Sequence, residues 1–256
     1  MNEPIIEFRN VSHRLPDGRE ILRSFNLEVR KGEVLVLLGR SGSGKTTALK
    51  HVNRLLQASS GEIRVEGRPL TEWNVIQLRR HIGYVIQETG LFPHYSVRRN
   101  IGLLPELEKW PKDRTMSRVE ELMNLVGLSS GIGSRYPHQL SGGQRQRVGV
   151  ARALAADAPI LLMDEPFGAL DPLTRSDLQR EFLTLQIRLS KTVLFVTHDL
   201  REAMLIGSRI ALLEEGKLIT LSSPRQFLNS TDPLVAKYVE AFGPSSELDQ
   251  SLRGDA

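Results

Sequence analysis

A lysine and two hydroxyls, Lys45, Thr46 and Thr47, close a segment of small residues, Gly39-Arg40-Ser41-Gly42-Ser43-Gly44. The spacing fits G-x-x-x-x-G-K-[ST], in which backbone amides converge on phosphate oxygens. Glycines are required because such convergence needs backbone angles that other residues resist. Lys45 is placed to reach β- and γ-phosphates, and the Thr46 hydroxyl can ligate Mg²⁺. Complementary groups follow other apolar runs. Asp164 is the right type to hold Mg²⁺ through its water shell, and Glu165, one residue further, can face an attacking water. Gln87 offers a neutral oxygen to cation and water, and His198 can donate to a γ-phosphate. These are the parts that nucleotide hydrolysis needs: a cradle, a cation, a base and a phosphate sensor.

The intervening pattern predicts elements that hold these groups. Val34–Leu38 reads as a buried strand, and Ala48, Leu49, Val52, Leu55 and Leu56 share one helical stripe after the glycine loop. Ile82–Ile86 leads to Gln87, Ile160–Met163 to Asp164, and Thr192–Val196 to His198; strands at Arg209–Leu213 and near Lys217–Thr220 follow. Strands alternating with helices predict a mostly parallel sheet covered on both faces, with ligands at the carboxyl ends of its strands. Ile5–Phe8, Asn26–Val29 and Glu62–Glu66 predict an antiparallel sheet beside it. Helix is expected from Val97 to Leu128 with breaks at Pro105 and Pro111, and again near Arg175–Leu189. From about Ser245 the chain is polar and aperiodic, so order is expected to fade there.

Leu140-Ser141-Gly142-Gly143-Gln144 opens another helix, with Ser141 as N-cap and Val148, Ala151, Leu154 and Ala155 as its apolar stripe. A second glycine-containing helix start is a second anion site, which one nucleotide on one P-loop does not call for. Head-to-tail pairing of two chains resolves this: each offers Ser141 and Gly143 to the γ-phosphate held by its partner.

The 256 residues suffice for one large α/β domain with a subdomain, and the absence of cysteine excludes disulfide frameworks and thiolate metal sites. The start has no basic and apolar leader pattern, and the apolar runs fall short of the ~20 residues that span a bilayer. A soluble, cytoplasmic protein is expected. The net charge of +4 is spread through helical patterns rather than gathered in a tail, as on an ordinary solvated basic surface.

In this order the motifs resemble the nucleotide-binding subunit of an ATP-binding-cassette transporter: Walker A at Gly39–Thr47, the Q-loop at Gln87 and the signature at Leu140–Gln144. Walker B at Ile160–Asp164, Glu165, the D-loop Ala169-Leu170-Asp171 and the switch His198 complete the set. The resemblance covers about residues 5–230 and leaves 231–256 as a C-terminal tail. It implies a P-loop NTPase fold: a RecA-like core, an antiparallel β-subdomain and an inserted helical subdomain over 88–155. It implies ATP and Mg²⁺ as ligands, with Gly39 to Thr47, Leu15, Ser141, Gly143, Gln144 and Asp171 around the nucleotide and Thr46, Gln87 and Asp164 around the metal. It implies catalytic roles for Lys45, Gln87, Glu165 and His198. The implied partners are a second copy, transmembrane permease subunits and a separate solute-binding protein, with the chain peripheral on the cytoplasmic face of the cell membrane. Thr89–His94, Asn100-Ile101, Trp110-Pro111 and Arg135–Gln144 are similar to subunits that import quaternary amines such as glycine betaine, choline or carnitine. Many relatives carry C-terminal cystathionine-synthase-type repeats, for which too little sequence follows Thr220 here. Leu91–Tyr95 reads either as the groove for a permease helix or as a core-facing loop.

The catalytic motifs alone leave an exporter open. Cassettes that act on nucleic acid insert long coiled coils or zinc modules between Walker A and the signature. Thr47 to Leu140 holds neither heptads nor cysteine, so no nucleic-acid partner is expected. One departure from the family concerns adenine, which usually stacks on an aromatic residue upstream of Walker A. Leu15 takes that place, with His13 as the alternative. Leucine lacks the stacking increment of roughly 0.5–1.5 kcal/mol. Leu15→Tyr is therefore expected to raise the ATP-over-GTP affinity ratio by about twofold to tenfold in competition binding; an unchanged ratio refutes that role.

Overall fold

The computed structural model describes residues 4–87, 90–168 and 170–242. Glu88, Thr89, Ala169 and the polar stretch from Ser245 lie outside them. In chain order the elements are β1 (Pro4–Arg14), β2 (Glu20–Arg30), β3 (Val34–Leu38), α1 (Lys45–Val52), β4 (Ser60–Val65) and β5 (Arg68–Pro69). There follow α2 (Val75–His81), β6 (Ile82–Val85), α3 (Val97–Leu107), α4 (Lys112–Leu125), α5 (Gly142–Leu154), β7 (Ile160–Asp164) and α6 (Pro172–Leu189). The chain then forms β8 (Thr192–Thr197), α7 (Leu200–Ile206), β9 (Arg209–Glu214), β10 (Lys217–Ser222), α8 (Pro224–Leu228) and α9 (Pro233–Phe242). It divides into two compact units, residues 1–72 with 194–256, and residues 73–193.

In the first unit β1, β2, β4 and β5 build an antiparallel sheet in the order β2-β1-β4-β5. Its alternation leaves one face for the core, where the rings of Phe8 and Phe25 meet edge to face at 5.2 Å. The parallel-rich sheet contributes β10-β9-β3-β8 to this unit, with β3 and β9 parallel and β9 and β10 antiparallel. All residues of β3 and β8 are buried, as continuous apolar strands of a covered parallel sheet should be. At ~1.5–3 kcal/mol for each buried large aliphatic, these short strands supply much of what fixes the loops at their ends. Arg209 ties β9 to Glu33, which precedes β3, through Nη2 to Oε1 at 2.6 Å and Nε to Oε2 at 2.8 Å. That bidentate pair is largely shielded from solvent.

In the second unit β6 and β7 run parallel, both reaching polar residues at their carboxyl ends. α5 packs closely on β6 because residue 83 is glycine: a Cβ there would collide with the Ala153 carbonyl. α3 and α4 pack on each other and on α5, and bury Val97, Ile101, Val119, Leu122 and Met123. Arg118 seals the end of α5, donating to Leu154 O at 3.1 Å.

The mixed α/β fold with a parallel-rich and an antiparallel sheet is as expected, but three local expectations need correction. α1 ends at Val52 rather than carrying Leu55 and Leu56 on its stripe; Arg54 adopts φ 52°, and Leu55 is 47% exposed. Pro105 does not break α3. It lies on the buried stripe of Val97 and Ile101, near enough to the helix end that little helix remains beyond it to lose bonding. The break instead falls at Lys109, φ 58°, before Pro111. Beyond β10, α8 and α9 add helix that periodicity had not suggested. Asp232 starts α9 by accepting from Leu234 N and Val235 N.

Gly83→Ala should lower stability by about 1–3 kcal/mol, a fall of several degrees in thermal midpoint for a chain of this size. An unchanged midpoint would show that β6 and α5 have slack the geometry denies.

Candidate functional site

The phosphate-type loop leaves β3 and enters α1 within the first unit. Gly39 passes so close to the Leu213 carbonyl that a Cβ would overlap it, and would also stand 2.7 Å from Ser43 Oγ. Gly44 is the N-cap of α1 at φ 103°, with no side chain bonded to the first amides of the helix and no acidic residue in its first turn. The positive end of the helix therefore meets no carboxylate of its own first turn. Gly216 N donates to Ser43 O at 3.1 Å, tying the loop to the β9–β10 turn.

Lys45 is 4% exposed, and its Nζ donates to Gly39 O and Arg40 O, each at 2.8 Å. Ser43 Oγ is buried and has no hydrogen-bond partner among the described residues, an arrangement that costs about 1–3 kcal/mol unless another acceptor or donor arrives. Arg40, Ser41 and Gly42 are exposed, and Thr46 and Thr47 half-buried. A glycine loop before an uncapped helix start, with a buried ammonium and a buried hydroxyl that lacks a partner among the described residues, fits an anionic oxygen cluster.

His198 lies in the same unit, exposed, directly after β8. Its neighbour Asp199 caps α7 through Arg201 N at 2.8 Å and Glu202 N at 3.3 Å, and Asp199 N donates to Thr197 Oγ1 at 3.0 Å. Leu15, half-buried between β1 and β2, closes their loop with Arg19 O at 2.8 Å and lines a surface pocket with Arg14, Glu20 and Ser59. The His13 ring packs on His51 at 4.8 Å between centroids, and its Nδ1 lies 3.2 Å from Gln57 O. Burial pushes the His51 imidazole down to about 4.

The second unit carries the remaining groups. Gln87 is exposed after β6, and Asp164 ends β7 with only 4% exposure. Tyr84 Oη donates to Asp164 Oδ2 at 3.5 Å; burial, then the Asp164 charge and this bond, hold the phenol protonated well above its ordinary range. Glu165 turns the chain at φ 44°, a left-handed angle that few non-glycine residues take, with Gly168 N donating to its carbonyl at 3.1 Å.

Ser141 and Gln144 cap α5 reciprocally: Gln144 N to Ser141 Oγ at 3.2 Å and Ser141 N to Gln144 Oε1 at 3.0 Å. Gly143 is buried, and a Cβ there would come within 2.6 Å of Thr174 Cγ2. Asp171 caps α6 through Thr174 N at 3.1 Å, and that backbone bond first of all draws its carboxyl below the usual range.

The oxygens expected to meet Mg²⁺ divide between the units, Thr46 in the first and Gln87 and Asp164 in the second. No cluster of three or more His, Cys, Asp or Glu occurs among the described residues. A hydroxyl, an amide oxygen and one buried carboxylate suit a hard cation that keeps phosphate and water ligands rather than a protein cage. Three side chains carry structural roles that the sequence reading did not assign to them. Tyr84 stands in an otherwise apolar strand, and Tyr238 sits on the unforeseen α9. Asn100, fully buried, binds Phe92 N and the carbonyls of Phe92, Tyr95 and Ser96 and so shapes the loop before α3. A polar residue on an apolar stripe was the available signal for the last.

Residues 22–168 match the family described as ABC transporter. The chain is 45% identical over 247 residues to the glycine betaine/carnitine/choline transport ATP-binding protein OpuCA of Bacillus subtilis, covering 96% of this chain and 64% of that protein. It is 48% identical over 244 residues to the glycine betaine uptake system ATP-binding protein YehX of Escherichia coli, covering 95% and 78%. It thus spans slightly under two thirds of OpuCA. A dimeric ATP-binding cassette in a post-hydrolysis state, bound to ADP and Pi, is similar with TM-score 0.77 and 31% identity, over 86% of this chain and 99% of that one. The cbiO1 component of the cbiONQ transporter complex of Clostridium perfringens aligns with TM-score 0.83 and 26% identity, over 98% of both chains. Among the described residues no helix is long and apolar enough to cross a membrane. With the strand–loop–helix geometry above, these matches place the chain in the ABC transporter family, as an ATP-binding cassette.

Proposed function

We propose that this chain hydrolyses ATP to energise a membrane permease that imports quaternary-amine osmoprotectants. The observation that carries the hydrolytic reading is the loop itself: a buried Lys45 ammonium resting on neutral carbonyls beside a Ser43 hydroxyl with no partner among the described residues. An arriving triphosphate offers Lys45 charged oxygens instead, and such bonds are roughly twice as strong as neutral ones. The start of α1, which no side chain caps and whose first turn holds no carboxylate, takes further phosphate oxygens. Thr46, Gln87 and Asp164 would hold Mg²⁺, which when bound neutralises charge on the phosphate oxygens.

Glu165 accepts a proton from the attacking water as general base, its place set by the left-handed turn after Asp164. Gln87 orients that water and His198 donates to the γ-phosphate. Leu15 offers adenine apolar contact without stacking. A second copy, paired head-to-tail, supplies Ser141, Gly143, Gln144 and Asp171 to the nucleotide. Dimeric assembly of a cassette 31% identical to this chain supports that pairing.

The solute reading draws on relatives whose names specify glycine betaine, carnitine and choline. The permease, a separate solute-binding protein and a peripheral position on the cytoplasmic face of the cell membrane complete it. Nucleic acid has no part in this scheme. The loop Leu91–Tyr95, in which the rings of Phe92, His94 and Tyr95 meet one another, is the surface assigned to the permease in this reading.

Glu165→Gln should keep ATP affinity within a few-fold, slow turnover by about a hundredfold or more, and accumulate a closed dimer on size exclusion with ATP. Normal turnover in that variant removes the base from Glu165. Lys45→Ala should abolish detectable ATP binding; retained affinity by equilibrium dialysis would show that the loop does not hold the phosphates.

A further inference from the structure

α9 closes over the first unit beside two parts of the proposed site. Val235 is fully buried and Tyr238 nearly so, and the helix packs on α7 and α8. Tyr238 Oη donates to the backbone carbonyl of His198 at 3.5 Å. The same side chain lines a small pocket with Arg40 of the phosphate loop and with Glu214 at the end of β9. Burial, followed by the Glu214 charge, pushes the Tyr238 phenol up to about 12, so it remains a donor at every physiological pH. Asp199 fixes the far side of the same segment by capping α7. His198 therefore sits on a segment held from two directions, by Asp199 along the chain and by Tyr238 from a helix far downstream.

We propose that Tyr238 is a positioning residue for His198: its hydroxyl, held by α9 beside Arg40, sets where the histidine stands when a γ-phosphate occupies the loop. The inference rests on the assignment of His198 as the γ-phosphate contact. Tyr238 touches no reacting atom. Its hydrogen bond limits how far the His198 backbone can drift, and its ring anchors α9 against the unit's core. Since a hydrogen donor near the developing charge works only when pre-placed, a freed His198 costs rate rather than nucleotide affinity.

Steady-state ATP turnover by the full chain, with Mg²⁺, tests this in Tyr238→Phe, His198→Ala and the double variant. Tyr238→Phe keeps the ring and the packing, so it should fold normally, with a thermal midpoint lowered by no more than a few degrees. Its kcat should fall about threefold to tenfold, the span of an ordinary hydrogen bond, with KM for ATP unchanged. The double variant should be no slower than His198→Ala alone, because the phenol acts only through the histidine. Unaltered kcat in Tyr238→Phe while His198→Ala is impaired overturns the positioning role and leaves the His198 assignment standing. So does a loss that multiplies fully with that of His198→Ala, or one that appears in KM. Unaltered turnover in His198→Ala overturns the assignment and this inference with it.

Discussion

The turn out of β3 is possible only because residue 39 has no side chain. A Cβ there would collide with the Leu213 carbonyl of β9, and one at residue 44 would come within 2.8 Å of the Ile21 carbonyl of β2. The loop is thereby wedged between two strands distant from it in sequence. The loop is thus shaped by its neighbours before any ligand arrives, and its ordering entropy falls on folding rather than on binding. The Arg209–Glu33 pair and the buried β3 and β9 hold the walls of that wedge.

The proposed chemistry is divided as the chain is. The first unit carries the cradle, Lys45, Thr46 and His198; the second carries Gln87, Asp164, Glu165 and the Ser141 cap. Each unit orders its own groups with its own devices: wedged glycines and a capped α7 in one, a phenol on a buried carboxylate and a reciprocal helix cap in the other. In the second unit the Ser141 hydroxyl and the Gln144 amide oxygen already satisfy backbone donors, so the proposed approach of a partner's phosphate competes with an existing bond worth about 1 kcal/mol.

Strand ends were the most legible features, because a fully buried parallel strand shows as an unbroken apolar run and the polar residue that ends it is conspicuous. Val34–Leu38 matches β3 end for end, and Asp164 and His198 fall where the apolar runs before them stop. Helix ends were harder to read. Leu55 and Leu56 continue the period of α1, yet the left-handed Arg54 removes them from it. Pro105 looks like a breaker until its burial on the α3 stripe is known. The contacts made to two of the proposed site residues, from Tyr84 to Asp164 and from Tyr238 to His198, join residues far apart in sequence and leave no local period.

Glu165 has a consequence for how this cassette can vary. Its φ of 44° admits few side chains cheaply: glycine, asparagine and aspartate tolerate the angle, whereas valine, isoleucine and threonine are penalised by branching at Cβ. Replacements at this position therefore face a backbone filter before any demand of the proposed chemistry, and should be drawn from the short polar residues and glycine.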